Sequence, residues 1–118
     1  MINQPKQYGL EERCFLFAKN VREFCNTLPK NIINMDDVKQ LLRSSSSVGA
    51  NFIESCEALS KKDFLMRIKI SRKEAKETVY WIKLIGTLKN KELETKRKNL
   101  FDEAQSLTKI FGSIITKN

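Results

Sequence analysis

The chain has no histidine among its 118 residues. That removes the commonest general base and the ligand on which most zinc sites draw. Cysteine is scarce as well. Cys14, Cys25 and Cys56 are an odd number and form no CxxC pair, so neither a zinc cluster nor a Cys–His nucleophile is expected. Cys14 and Cys25 fall on the apolar side of their segment and read as reduced core residues. There are only two prolines and four glycines, no internal repeat, and no low-complexity tract beyond one run of serines. No apolar segment is long enough to span a bilayer. The stretch Met1-Ile2-Asn3-Gln4-Pro5-Lys6 lacks the apolar run of a signal peptide. A cytoplasmic protein with no membrane contact, no metal and no cofactor is expected.

What is present is basic charge and helical period. The net charge of +8 favours an anionic partner, and nucleic acid is the usual one. A basic surface without a partner is the plainer reading. The length suits one domain with one core. Residues 1–7 are expected to form a loosely packed arm.

Apolar residues then recur at three- and four-residue steps through four segments, predicting helices at about 10–27, 35–59, 61–85 and 91–115. The first carries Leu10, Cys14, Phe17, Ala18, Val21, Cys25 and Leu28, widened by Phe15 and Phe24, and Pro29 ends it. Asn34 is the expected cap of the second. Ser60-Lys61-Lys62-Asp63 has the form of a capping box opening the third, and Gly86 is its expected stop. The fourth carries Leu93, Leu100, Ala104, Leu107, Phe111 and Ile114. Four helices with short links make an all-α, antiparallel up-down-up-down bundle.

The second helix contains Ser44-Ser45-Ser46-Ser47, which in isolation reads as loop. Val38, Leu41, Leu42, Ser45, Val48, Phe52, Cys56 and Leu59 keep one apolar face in phase across it, so the helix is expected to continue. Arg43, Ser47, Asn51 and Glu54 form a second, polar line. The near absence of charge between Arg43 and Glu54 implies burial. Two readings fit. Either the serines bond back to their own helix in a tight packing, or Arg43, Asn51 and Glu54 form a buried polar network that sets register or oligomeric state.

The third helix has more faces than a monomeric bundle needs. Its core stripe is Phe64, Ile68, Ser71, Ala75, Val79 and Ile82. Beside it Met66, Ile70, Glu77, Trp81 and Leu84 form a second stripe, which fits a subunit interface or a helix more fully wrapped by its own bundle. Lys62, Lys69, Lys76 and Lys83 recur at every seventh residue, a line roughly 30 Å long. Arg72 and Lys73 broaden it. Such a line suits a phosphate backbone, with salt-sensitive and sequence-tolerant attachment. A solvated helix face is the alternative. Lys89, Lys91, Lys96, Arg97 and Lys98 follow as a second basic cluster.

With these residues in view, the chain resembles the four-helix bundle family of proteins encoded in intervening sequences of bacterial large-subunit ribosomal RNA genes. That family is related to the accessory variability determinant of diversity-generating retroelements. The resemblance covers nearly the whole chain. It rests on Arg43, Ser47, Asn51 and Glu54, on Asp63-Phe64 and on Glu77. Phe52-Ile53-Glu54-Ser55 stands where the family usually has Ile-Ala-Glu-Gly, and Lys73-Glu74 replaces a small Gly-Ser pair. The resemblance implies an antiparallel protomer assembling as a homopentamer, a basic ring that binds RNA or DNA, and, in the retroelement branch, a reverse-transcriptase partner. A non-enzymatic, oligomeric nucleic-acid-binding protein is therefore expected. A scaffold ring that holds a protein such as a reverse transcriptase is the second expectation. Catalysis would have to rest on Arg43, Glu54 and Glu77, which lack a base, a metal cluster or a phosphate loop.

Overall fold

A computed structural model of the chain describes residues 9–118; the expected arm at 1–7 lies outside them. Four helices follow in order: α1 (Leu10–Asn26), α2 (Ile32–Cys56), α3 (Lys61–Leu84) and α4 (Lys91–Lys117). Each packs only on its neighbours in the chain, and α1 closes the cycle on α4. Cross-helix pairs run in opposite directions along α2 and α3, from Ser44–Thr78 to Asn51–Arg67. This is the up-down-up-down arrangement expected of short links.

The helix does continue through the serines. Ser44 and Ser45 are fully buried. Ser44 and Ser45 donate to the carbonyls of Leu41 and Leu42 at 3.4 Å, and Ser46 donates to that of Leu42 at 2.7 Å. Hydroxyls satisfied in this way can be buried without the usual polar cost. Two hydroxyls of α3 cross to α2: Thr78 donates to Ser44 Oγ at 2.9 Å, and Ser71 donates to the Val48 carbonyl at 2.9 Å. At Gly49 a side chain would begin 3.1 Å from Cys14 Cβ, so α1 and α2 approach closely there. Phe17, Leu41, Val48, Ile68, Ile82, Leu107 and Phe111 fill the centre. Burial pushes the Cys14 thiol up to about 12 and the Cys25 thiol up to about 11, so both are inert core residues.

Three boundaries and one face differ from expectation. Asn31, not Asn34, caps α2, accepting from the Asn34 amide at 2.9 Å. α2 ends at Cys56, leaving Cys56 exposed and Leu59 97% exposed, because the chain must turn before Ser60 caps α3 by accepting from Asp63 N at 3.1 Å. The buried face ends instead with Ser55. Gly86 does not take the left-handed conformation of a helix stop; Leu88 and Lys89 do, at φ 54° and 61°. Phe15 points to solvent, while Phe24 is buried.

Asn34 has a different task. It is 3% exposed and joins both links at one end of the bundle. Its amide donates to the carbonyls of Pro29 (3.0 Å) and Gly86 (2.9 Å), and its oxygen accepts from Gly86 N (3.1 Å). The loosest pair, α1 and α4, is tied by Arg13, whose fork donates to both Glu103 oxygens at 2.7 and 2.8 Å and to Ser106 at 2.8 Å. Replacing Asn34 with Ala strips partners from three backbone groups. We expect Asn34→Ala to lower unfolding free energy by about 2–3 kcal/mol, measured by urea denaturation monitored at Trp81.

Candidate nucleic-acid interface

α3 segregates its charges. At about 100° per residue, Asp63, Glu74 and Glu77 fall on the flank turned toward α2. Lys62, Lys69, Lys76 and Lys83 fall about 120° away, on the flank turned toward α4. The cause is packing: Ile68, Ser71, Ala75, Thr78 and Ile82 are buried, with Glu74 buried beside them, and the other charged residues divide to either side. Every lysine of the line is exposed, as are Arg72 and Lys73. The Arg72 guanidinium lies over Gly112 of α4, 3.6 Å from where a side chain there would begin.

The acidic flank is neutralised. Arg43 of α2 forms an ion pair with Glu77 and approaches Glu74 Oε1 at 3.5 Å. Trp81 Nε1 donates to Glu77 Oε2 at 3.0 Å. This bond and the Arg43 charge hold the Glu77 carboxyl below its ordinary range. Glu74 is 8% exposed, and its Oε1, although within ion-pair distance of Arg43, has no hydrogen-bond partner among the described residues. Arg43 thus offsets Glu74 and Glu77, whereas Asp63 lines one depression with Lys62, Lys69 and Lys73 and lies at the edge of their field.

The expected polar network of Arg43, Ser47, Asn51, Glu54 and Glu77 is thus only partly assembled. Arg43 joins Glu77. Asn51 accepts from Arg67 at 3.0 Å and donates to the Ser47 carbonyl at 3.0 Å, a separate pair. Ser47 enters through its backbone, and Glu54 is exposed with no ion pair among the described residues. Nor is the network buried, since the Arg43 side chain is 51% exposed. The reason is that hydroxyls and small side chains occupy the interior of the α2–α3 seam, so the longer polar side chains lie along its rim. Glu74 was not anticipated as a member. Its spacing of three from Glu77 and the Lys73-Glu74 departure from the family pattern were the signals.

The second stripe lies beside this rim. Met66 and Leu84 are each 48% exposed, and Ile70 and Trp81 are partly buried. Trp81 also packs on the core and meets the Tyr80 ring edge-on at 5.1 Å.

The basic cluster at the start of α4 does not form one patch. Arg97 turns inward, donating to the Ile85 carbonyl at 2.7 Å and to Glu94 at 2.6 and 2.9 Å, so its fork is already filled. Lys96 lines a cleft against α1 with Asn20, Glu23 and Asn99, on another side from the α3 lysines. Lys98 and the already paired Arg97 share a depression with Lys83. Proximity in the chain does not carry over because successive helix residues point about 100° apart.

The family model described as 23S rRNA-intervening sequence protein matches residues 7–113. Among solved structures, the chain is similar to a protein with unknown function from the S23 ribosomal protein family of Bacteroides thetaiotaomicron. The two share 27% identity at a TM-score of 0.75, covering 91% of this chain and 98% of that one. No curated protein matches.

Glu77→Gln retains an acceptor for Trp81 and removes the charge that faces Arg43. Because the folded carboxyl titrates below its unfolded value near ~4.3, its stabilisation is fully present above that pH and is lost as pH falls through the folded value. We expect Glu77→Gln to cost about 0.5–1 kcal/mol at neutral pH. In paired urea titrations the gap to the parent chain should close as pH falls below the ordinary carboxylate range.

Proposed function

Since the chain belongs to the 23S rRNA-intervening sequence protein family, we propose that it is a non-enzymatic, oligomeric protein that attaches to nucleic-acid phosphates through α3. The observation that carries this reading is the one-sided charge of that helix. Its carboxylates lie on the α2 flank, where Arg43 meets Glu74 and Glu77, while Lys62, Lys69, Arg72, Lys73, Lys76 and Lys83 are exposed. Lysine is a point charge that suits phosphate without reading base edges, so binding tolerates sequence and weakens steeply with salt. Lys96 can add a contact only from the α1 side, and Arg97 serves the fold. The family name concerns ribosomal RNA; the chemistry serves RNA and DNA alike.

The oligomer is proposed to form over the adjoining stripe of Met66, Ile70, Trp81 and Leu84, with the Arg43–Glu77 pair at its edge. Partly exposed Trp and Met beside a satisfied ion pair have the composition of an interface core. A pentameric ring is the assembly that the family resemblance implies. A ring of this kind could also carry a protein such as a reverse transcriptase, and the same apolar stripe would favour that second reading if it stayed uncovered in the oligomer.

We expect RNA and DNA binding at low salt, with affinity falling roughly a hundredfold or more between about 50 and 200 mM salt. Lys69→Glu/Lys73→Glu/Lys76→Glu should weaken it by at least about tenfold and flatten the log–log salt slope by about 3. No binding at low salt, or binding unmoved by the triple variant, rejects the reading. Sedimentation should give a multiple of the 13.7 kDa protomer, and Trp81→Lys should reduce it to a single protomer that remains helical by circular dichroism.

A further inference from the structure

Resting on that reading, we infer that the nucleic acid recognised is a duplex, held across a groove with α3 on one strand and α4 on the other. Lys69, Arg72, Lys76 and Lys83 supply one row of cations and Lys98 and Lys109 the other. All six are exposed.

The second row follows from the phase of α4. Leu93, Leu100, Ala104, Leu107 and Phe111 define its buried side. At about 100° per residue, Lys98 and Lys109 lie within about 20° of each other and nearly opposite that side, leaning toward α3. They are separated by roughly 16 Å along the helix. The two rows face one surface. Lys83 and Lys98 line the same depression between the helices, and Arg72 lies over Gly112, one turn beyond Lys109. Packed helices have axes about 8–10 Å apart, and outward-leaning lysines widen that to the order of 10–20 Å. Phosphates of opposite strands face each other over distances of this order across a duplex groove. A single strand offers only one row.

Three further observations favour the duplex. Two carboxylates of α4 on this side are already paired: Glu94 with Arg97, and Asp102 with Lys98 at 3.2 Å. The Lys98 pair is well exposed, at 75% and 57%, so a phosphate can displace it at little cost. Single-strand binding draws on aromatic platforms, and here Tyr80 is the one large aromatic exposed on α3 or α4, edge-on to Trp81. Finally, the four cations on α3 span about 21 Å from Lys69 to Lys83, which fits a stiff partner better than a flexible one.

The experiment is fluorescence anisotropy with the full chain at about 100 mM salt. The probes are an RNA duplex and a DNA duplex of about 16 base pairs, with oligouridine and oligothymidine of equal length as strands that cannot pair. At least one duplex should bind roughly tenfold or more tighter than its single strand, and the tighter of the two duplexes identifies the polymer. Lys98→Glu/Lys109→Glu should weaken duplex binding by roughly tenfold and lower its salt slope by about 2. Single-strand binding should stay within about threefold. Lys19→Glu/Lys39→Glu, an equal loss of charge on α1 and α2, should leave duplex binding within about threefold; all four sites are exposed, and circular dichroism verifies folding. Equal affinity for single strands and duplexes overturns the inference. So does duplex binding that depends on Lys69, Lys73 and Lys76 but not on Lys98 and Lys109; in both cases the α3 phosphate reading survives. Absence of binding to any probe rejects both.

Discussion

The seam between α2 and α3 governs the rest of the structure. It is built from hydroxyls and small side chains: Ser44 against Thr78, and Ser71 against the Val48 carbonyl. Each polar atom in it is bonded either to its own helix or to the other. Burial of these groups is tolerable only under that condition, since an unpartnered hydroxyl in a core costs about 1–3 kcal/mol. Of the charged side chains beside it, Glu74 is nearly buried, Arg43 and Glu77 lie along its rim, and the lysines of α3 lie on the opposite flank. One packing decision therefore sets the polarity of the functional surface.

The rim and the lysine flank act as a pair. Had the acids of α3 been scattered around the helix, each would lower the field of a neighbouring lysine by an amount comparable to a surface ion pair. With Glu74 and Glu77 met by Arg43, the cationic strip has Asp63 beside its first lysines. Glu74 is the least comfortable member. It is nearly buried and approaches Arg43 without a hydrogen bond on Oε1. It acts as counter-charge for Arg43.

Most of the fold was legible because helical period survives even a run of four serines. Val48 and Phe52 stay in phase with Leu41 and Leu42, and no alternative buries them. The ends were less legible. Asn31 and Asn34 are equally good caps by residue type, and only the long-range bonds of Asn34 to Gly86 separate them. Cys56 and Leu59 are in phase with the apolar face, but phase carries no information about where the chain must turn to reach Ser60. In the candidate site, the lysine line was readable from spacing alone. Arg97 was not, because its partner, the Ile85 carbonyl, belongs to the preceding link. The low charge of the polar line on α2 reads as burial, either inside the bundle or against another subunit. The structure separates the two ideas: serines are inside, and the long side chains in the same stretch stand at the edge.

The cycle of helices is not equally strong all the way round. α1 is the shortest helix at 17 residues, and it touches α4 least, with the Arg13 fork on Glu103 and Ser106 as the main polar tie. What holds α1 is apolar: it buries Cys14, Phe17, Val21 and Phe24 in the common core, so its loss would open the centre of the bundle to water.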